Sequence, residues 1–263
     1  MENRNWPSPP GYTWLMCGRK LKAVSTILTF VLAGAGTTVA QDSRMLLLRF
    51  QSEGDRAAKE AILDSITRDY PNSGPALLKI ARQTKDTDTR WLAIRGLGRL
   101  KFHDAAPFLS HSLNSDSSYV RANAAFALGE IRDGSAVPAL IGILKSEPDN
   151  GVIEQTALAL QTLGAKAAVP ALKDRVVNPS AQTRMWILGA IEALDAKKDV
   201  PFFATFLFDT DENVAALAAH VIERFTGQDF GFPRCAASGP CSYGYGVSNA
   251  QSWWNSHQPS WAR

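Results

Sequence analysis

Residues that build catalytic and metal sites are scarce in this 263-residue sequence: there are three cysteines and four histidines, and no histidine is followed by a glutamate. His103, His111, His220 and His257 fall at no metal-binding helical spacing, and neither a Gly-x-Ser-x-Gly elbow nor a glycine-rich phosphate loop is found. These absences exclude the common self-contained nucleophile, zinc and nucleotide sites. They lead to the expectation of a non-catalytic chain that needs no cofactor and no metal, the alternative being an enzyme whose site is dispersed over several elements. Charge of one sign is missing too. Residues 1–40 hold four of the 28 basic groups and one of the 25 acids, so residues 41–263 carry no net charge. A nucleic-acid binder needs a basic excess to draw phosphates, and nucleic acid is therefore not expected as a partner.

Long apolar runs are confined to one place. Arg19, Lys20 and Lys22 precede the run Ala23 to Ala35, and Thr38-Val39-Ala40 supplies small residues before Gln41. This is the pattern of a signal peptide cleaved after Ala40, with the product periplasmic or secreted; Met16 is a second start that gives the basic segment ordinary length. An uncleaved membrane anchor is the alternative. Ser25, Thr26, Thr29, Gly34 and Gly36 interrupt the run, and it falls short of the roughly 20 apolar residues that a span needs. No membrane span is expected after cleavage. Cys17 lies in this leader, while Cys235 and Cys241, separated by five residues, form a candidate disulfide in an oxidising compartment. A zinc site would need four ligands, and only His257 is near.

What the sequence does contain is a repeat. Pro75, Pro107, Pro138, Pro170 and Pro201 recur at spacings of 32, 31, 32 and 31 residues, each inside a similar apolar stretch such as Val137-Pro138-Ala139-Leu140 or Val169-Pro170-Ala171-Leu172. Proline costs nothing in the first turn of a helix, so each one marks the start of a short helix. A polar break follows, and then a longer pattern with apolar residues at steps of three and four, as in Val120, Ala124, Ala127, Leu128 and Ile131. Arg56 to Arg68 reads as a further second helix, with Met45 to Phe50 as its partner. The fold class is all-α: a right-handed α-solenoid of about six helix pairs over residues 41–225, with an irregular C-terminal cap over 226–263.

Tyr119-Val120-Arg121, Ala124-Ala125, Ala127-Leu128-Gly129-Glu130-Ile131 and Ala136-Val137-Pro138-Ala139-Leu140 resemble HEAT repeats of the short type named after phycobilisome lyases, and the resemblance covers about residues 55–225. It implies an armadillo-type solenoid with the second helices on the concave side. It does not by itself imply lyase activity, which stands as the alternative to a scaffold that binds a protein or peptide. The metal-dependent hydroxylase sharing this fold uses His-Glu pairs that are missing here. The resemblance also implies a ladder between a turn acid and an early arginine, with Asp86 and Arg90, Asp116 and Arg121, and Asn178 and Arg184 as pairs, broken at Ile153 and Ala215.

Aligning the units gives two columns opposite the apolar faces of the second helices. One contains Arg95, Phe126, Leu158, Gly189 and His220, and the other Arg99, Glu130, Thr162, Ala193 and Arg224. With Trp91 and Trp186, the residues Arg95, Arg99, Phe126, Glu130, His220 and Arg224 form the candidate partner-binding wall. Its alternative is that Trp91, Phe126 and Trp186 plug gaps between units. The tail begins Thr226-Gly227-Gln228-Asp229-Phe230-Gly231, followed by Trp253, Trp254 and Trp261, and resembles endings of other bacterial HEAT-like proteins. Two readings result: the aromatics cap the last helix pair, or they form a platform for an envelope carbohydrate or peptide.

Overall fold

A computed structural model describes residues 38–194, 199–232 and 244–261. Among them are thirteen α-helices and no strand. Six pairs succeed one another: α1 (Thr38–Ser52) with α2 (Arg56–Asp69), α3 (Gly74–Gln83) with α4 (Thr87–Arg99), and α5 (Ala106–Ser112) with α6 (Ser118–Ile131). They continue as α7 (Val137–Ser146) with α8 (Asn150–Thr162), α9 (Val169–Arg175) with α10 (Ala181–Leu194), and α11 (Val200–Ala204) with α12 (Glu212–Thr226); α13 (Gly244–Trp261) closes the array. The part of the expected leader before Thr38 lies outside the described residues, and the expected cleavage position falls in the first turn of α1. No helix among the described residues is long and apolar enough to cross a membrane.

Local chemistry sets the helix boundaries. Each repeated proline stands second in its first helix, where the missing N–H removes no hydrogen bond. The polar breaks act as caps. The carboxylates of Asp55, Asp86, Asp149 and Asp211 accept from the backbone N–H of Ala58, Thr89, Val152 and Val214, which opens α2, α4, α8 and α12. Ser180 does the same for α10 through the N–H of Thr183, at 3.2 Å.

One continuous core of leucine, isoleucine, valine and alanine runs the length of the array. The second helices pack against one another far more closely than the first helices do, so the array curves towards the second-helix side. Glycine permits the tightest approach. A Cβ on Gly98 would stand 2.7 Å from Ala127 Cα, and one on Gly129 would stand 2.9 Å from Ala159 Cα, so α4, α6 and α8 meet backbone to backbone. In the next two units Gln161 and Glu192 occupy that column. The glycine contact is missing there, and α8, α10 and α12 pack more loosely.

The charge ladder exists but runs differently from the expectation. Arg121 donates to the backbone carbonyls of Ser115 and Asp116, and its fork grips Glu147 of the following unit through Nε (2.8 Å) and Nη2 (2.7 Å). Arg184 repeats this with the carbonyls of Asn178 and Pro179 and the carboxylate of Asp209. Arg90 donates to the carbonyl of Thr84, while Asp86 is taken by Lys59 and Thr89, which hold its carboxyl well below the usual range. Arg121 and Arg184 thus bond their own turn through backbone and the next unit through charge, whereas at Arg90 the link between units is made by Lys59 and Asp86. Stacking one turn over the next brings that second carboxylate within reach.

The C-terminal cap is not irregular in its described part. It is an 18-residue helix, α13, which lies across α12 and α11. Val247 and Ala250 are buried, Phe230 is covered, and Gln251 donates to the carbonyl of Leu207 at 2.6 Å. Removing residues 227–263 strips this cover from the last pair, and a drop in melting temperature of about 5–10 °C is expected from the apolar area exposed. Thermal melting followed by circular dichroism checks this; a truncated chain melting at the full-length temperature would show that the cap contributes nothing.

Candidate functional site

The second helices have one open stripe, and it consists of the two aligned columns. Arg95, Phe126, Leu158, Gly189 and His220 are all half-buried; Arg99, Ala193 and Arg224 are exposed, and Glu130 and Thr162 are intermediate. The residues on either side of the stripe are mostly buried because they make the contacts between neighbouring helices. The repeat thus turns two sequence columns into a continuous inner wall. Its middle is apolar and partly recessed: nothing lies within 4 Å of where a Cβ on Gly189 would stand.

Beside the N-terminal end of this wall basic and aromatic groups meet. Trp91 stacks on Tyr119 with ring centres 6.0 Å apart, and the Arg56 guanidinium lies over both rings at 4.9 and 5.3 Å. Arg56 also pairs with Glu60 at 3.4 Å, and Arg99 pairs with Asp64. Arg95 lies between them, and neither it nor Glu130 makes a hydrogen bond or ion pair with a described residue. Burial, and then the nearby charge of Arg99, lower the pKa of Arg95 from the usual arginine value. Across the wall, Phe126 places its ring edge 3.5 Å from the Cβ position of Gly98.

Two of the three expected groove aromatics are absent from the wall. Trp91 is 2% exposed and donates from Nε1 to Asp88, and Trp186 is 4% exposed, so both fill space between units. Only Phe126 is left to present an aromatic surface. At the C-terminal end, His220 stacks on Phe232 at 3.8 Å and contacts Glu223 at 3.4 Å, while Arg224 pairs with Glu192. The tail tryptophans form no coplanar platform: Trp253 stacks on His257 and tilts against Phe230, Trp254 is half-buried against the core, and Trp261 alone is exposed. Cys235 and Cys241 lie outside the described residues. Arg56, Tyr119 and Phe232 escape the sequence columns. Arg56 precedes the first repeat proline, Tyr119 lies at the mouth of its helix, and Phe232 belongs to the tail.

The fold and its inner wall define a class, the HEAT-repeat α-solenoid, and the HEAT repeats family profile matches residues 74–161 and 110–192. Within that class its sequence is similar to proteins named for bilin biosynthesis and for a phycocyanobilin lyase. It is 28% identical over 166 residues to the bilin biosynthesis protein PecE of Mastigocladus laminosus, covering 60% of this chain and 61% of the relative. It is 38% identical over 101 residues to the phycocyanobilin lyase subunit alpha of a Picosynechococcus species, covering 35% and 37%. The matches thus span about three-fifths of one curated relative and just over a third of the other. The solved complex of CpcE and CpcF of phycocyanin lyase from Nostoc sp. PCC7120 shares the fold, with a TM-score of 0.53 at 19% identity over 77% of this chain and 80% of that one.

These findings correct the expectation of a non-catalytic chain. The curated relatives are named for bilin biosynthesis and for a lyase, which points to an enzymatic role. Missing motifs exclude only compact constellations, whereas a site spread over an inner wall leaves no local signature.

Proposed function

We propose that this chain is a lyase-type subunit that holds an open-chain tetrapyrrole on its inner wall and acts together with a protein partner. The observation that carries the reading is the open stripe itself. Phe126, Leu158 and Gly189 form an apolar bed, with Arg95 at one end and His220 at the other. A flat conjugated body fits such a bed, since its faces need apolar contact and its edges need a few placed polar groups. The naming of one curated relative as a phycocyanobilin lyase subunit supports this ligand class. The solved complex of two phycocyanin lyase chains supports a protein partner.

The chemistry assigned to the wall is positioning. A conjugated ligand brings its own reactive double bonds, and the chain contributes by fixing which bond faces the acceptor and by keeping water from the bed. Titrating the purified chain with phycocyanobilin is expected to give a saturable change in the pigment's visible absorption together with quenching of tryptophan fluorescence. Spectra that stay those of free pigment throughout the titration would remove the reading.

A further inference from the structure

Charge accounting at the N-terminal end of the wall leaves one group over. Three guanidinium groups, Arg56, Arg95 and Arg99, face two carboxylates, Glu60 and Asp64. Arg56 takes Glu60 and Arg99 takes Asp64, which leaves Arg95 half-buried with no partner among the described residues. A guanidinium remains charged at neutral pH, so Arg95 holds a partly desolvated positive charge that no described residue pairs with. Two other second-helix arginines contrast with it. Arg121 and Arg184 are each bound by backbone carbonyls and by a bidentate carboxylate of the next unit, and their role in joining the units is complete.

We propose that Arg95 is the carboxylate-receiving end of the inner wall, taking a propionate group of the open-chain tetrapyrrole whose conjugated body lies over Phe126 and Leu158. This rests on the reading of the wall as a tetrapyrrole site and specifies which way the ligand lies. The neighbouring wall argues for a small ligand with few charges. Beyond Arg95 its own column turns apolar through Phe126, Leu158 and Gly189, and the adjacent column turns acidic at Glu130. An acidic polypeptide would meet one open cation and then a carboxylate. A ligand with a large apolar body and a carboxylate on a short arm meets the guanidinium and the apolar bed together. His220 at the far end is already stacked on Phe232 and set beside Glu223, so the anion is directed to the arginine end.

The test uses the full chain, phycocyanobilin and its dimethyl ester, which has the same conjugated body without the charges. For the wild type, the free acid is expected to bind about tenfold or more tightly than the ester, the difference a charge-assisted hydrogen bond supplies. In Arg95→Gln that preference disappears, with ester affinity unchanged. Equal binding of acid and ester to the wild type would overturn the role of Arg95 and leave the tetrapyrrole reading standing. Failure of both pigments to bind the wild type would overturn both. Equal weakening of acid and ester in Arg95→Gln would mean that the residue shapes the wall without receiving a carboxylate, and would also overturn the proposal.

Discussion

Replacing Arg121 with Met is expected to lower the unfolding free energy by about 3–5 kcal/mol, because it leaves a buried carboxylate without its counter-charge. The Glu147 side chain is only 3% exposed and that of Arg121 15%, so water cannot take over the lost bonds. The carbonyls of Ser115 and Asp116 lose their donor in the same substitution. The double variant Arg121→Met, Glu147→Gln should recover much of the loss, since the unpaired charge is removed with its partner. Urea denaturation of both variants and the wild type measures this. A loss below about 1 kcal/mol for the single variant would place the pair with exposed surface ion pairs and sink the argument.

The second large effect is steric. Valine at position 129 must put its Cβ where Ala159 Cα is 2.9 Å away, and at position 98 where Ala127 Cα is 2.7 Å away. The obstacle is backbone, so relief requires the helices themselves to separate. The expected cost for Gly129→Val is about 3 kcal/mol, at the upper end for overpacked sites. Gly189→Ala has the opposite sign. Its added methyl meets nothing within 4 Å, and the gain in helix propensity should stabilise the chain by about 0.5–1 kcal/mol. Denaturation midpoints of the two variants moving in the same direction would refute the distinction between a close-packed glycine and an open one.

How much of this was legible in the sequence depended on the range over which the signal acts. Proline in a first turn is a local effect, and all five prolines fall in the second position of their helices. The open columns were also legible, because a regular repeat converts sequence register into position along a wall. The fate of Trp91 and Trp186 was not. An aromatic on a helix has the same local pattern whether a neighbouring unit covers it or solvent does, and inter-unit spacing decides between the two. The same holds for Arg121, whose own turn offers Asp116 five residues away while the next unit offers Glu147. Only the stacking of one turn over the next selects the second. The helix α13 was hidden by its composition, since glycine, serine and asparagine give it little apolar periodicity and its order comes from docking on α12. The proposed site was illegible for a related reason: the groups on the wall come from separate units, and none carries a motif.

The glycine column that ends at Gly129 has a mechanical consequence. A stack held backbone to backbone from α4 to α8 behaves as a stiff rod, while the part from α8 to α12, which lacks the glycine, packs more loosely and behaves as a compliant arm. Within that arm bending concentrates at the joint between α10 and α12, where the packing is loosest. A molecule gripped at the rigid end would find the far end of its cradle able to adjust to its length.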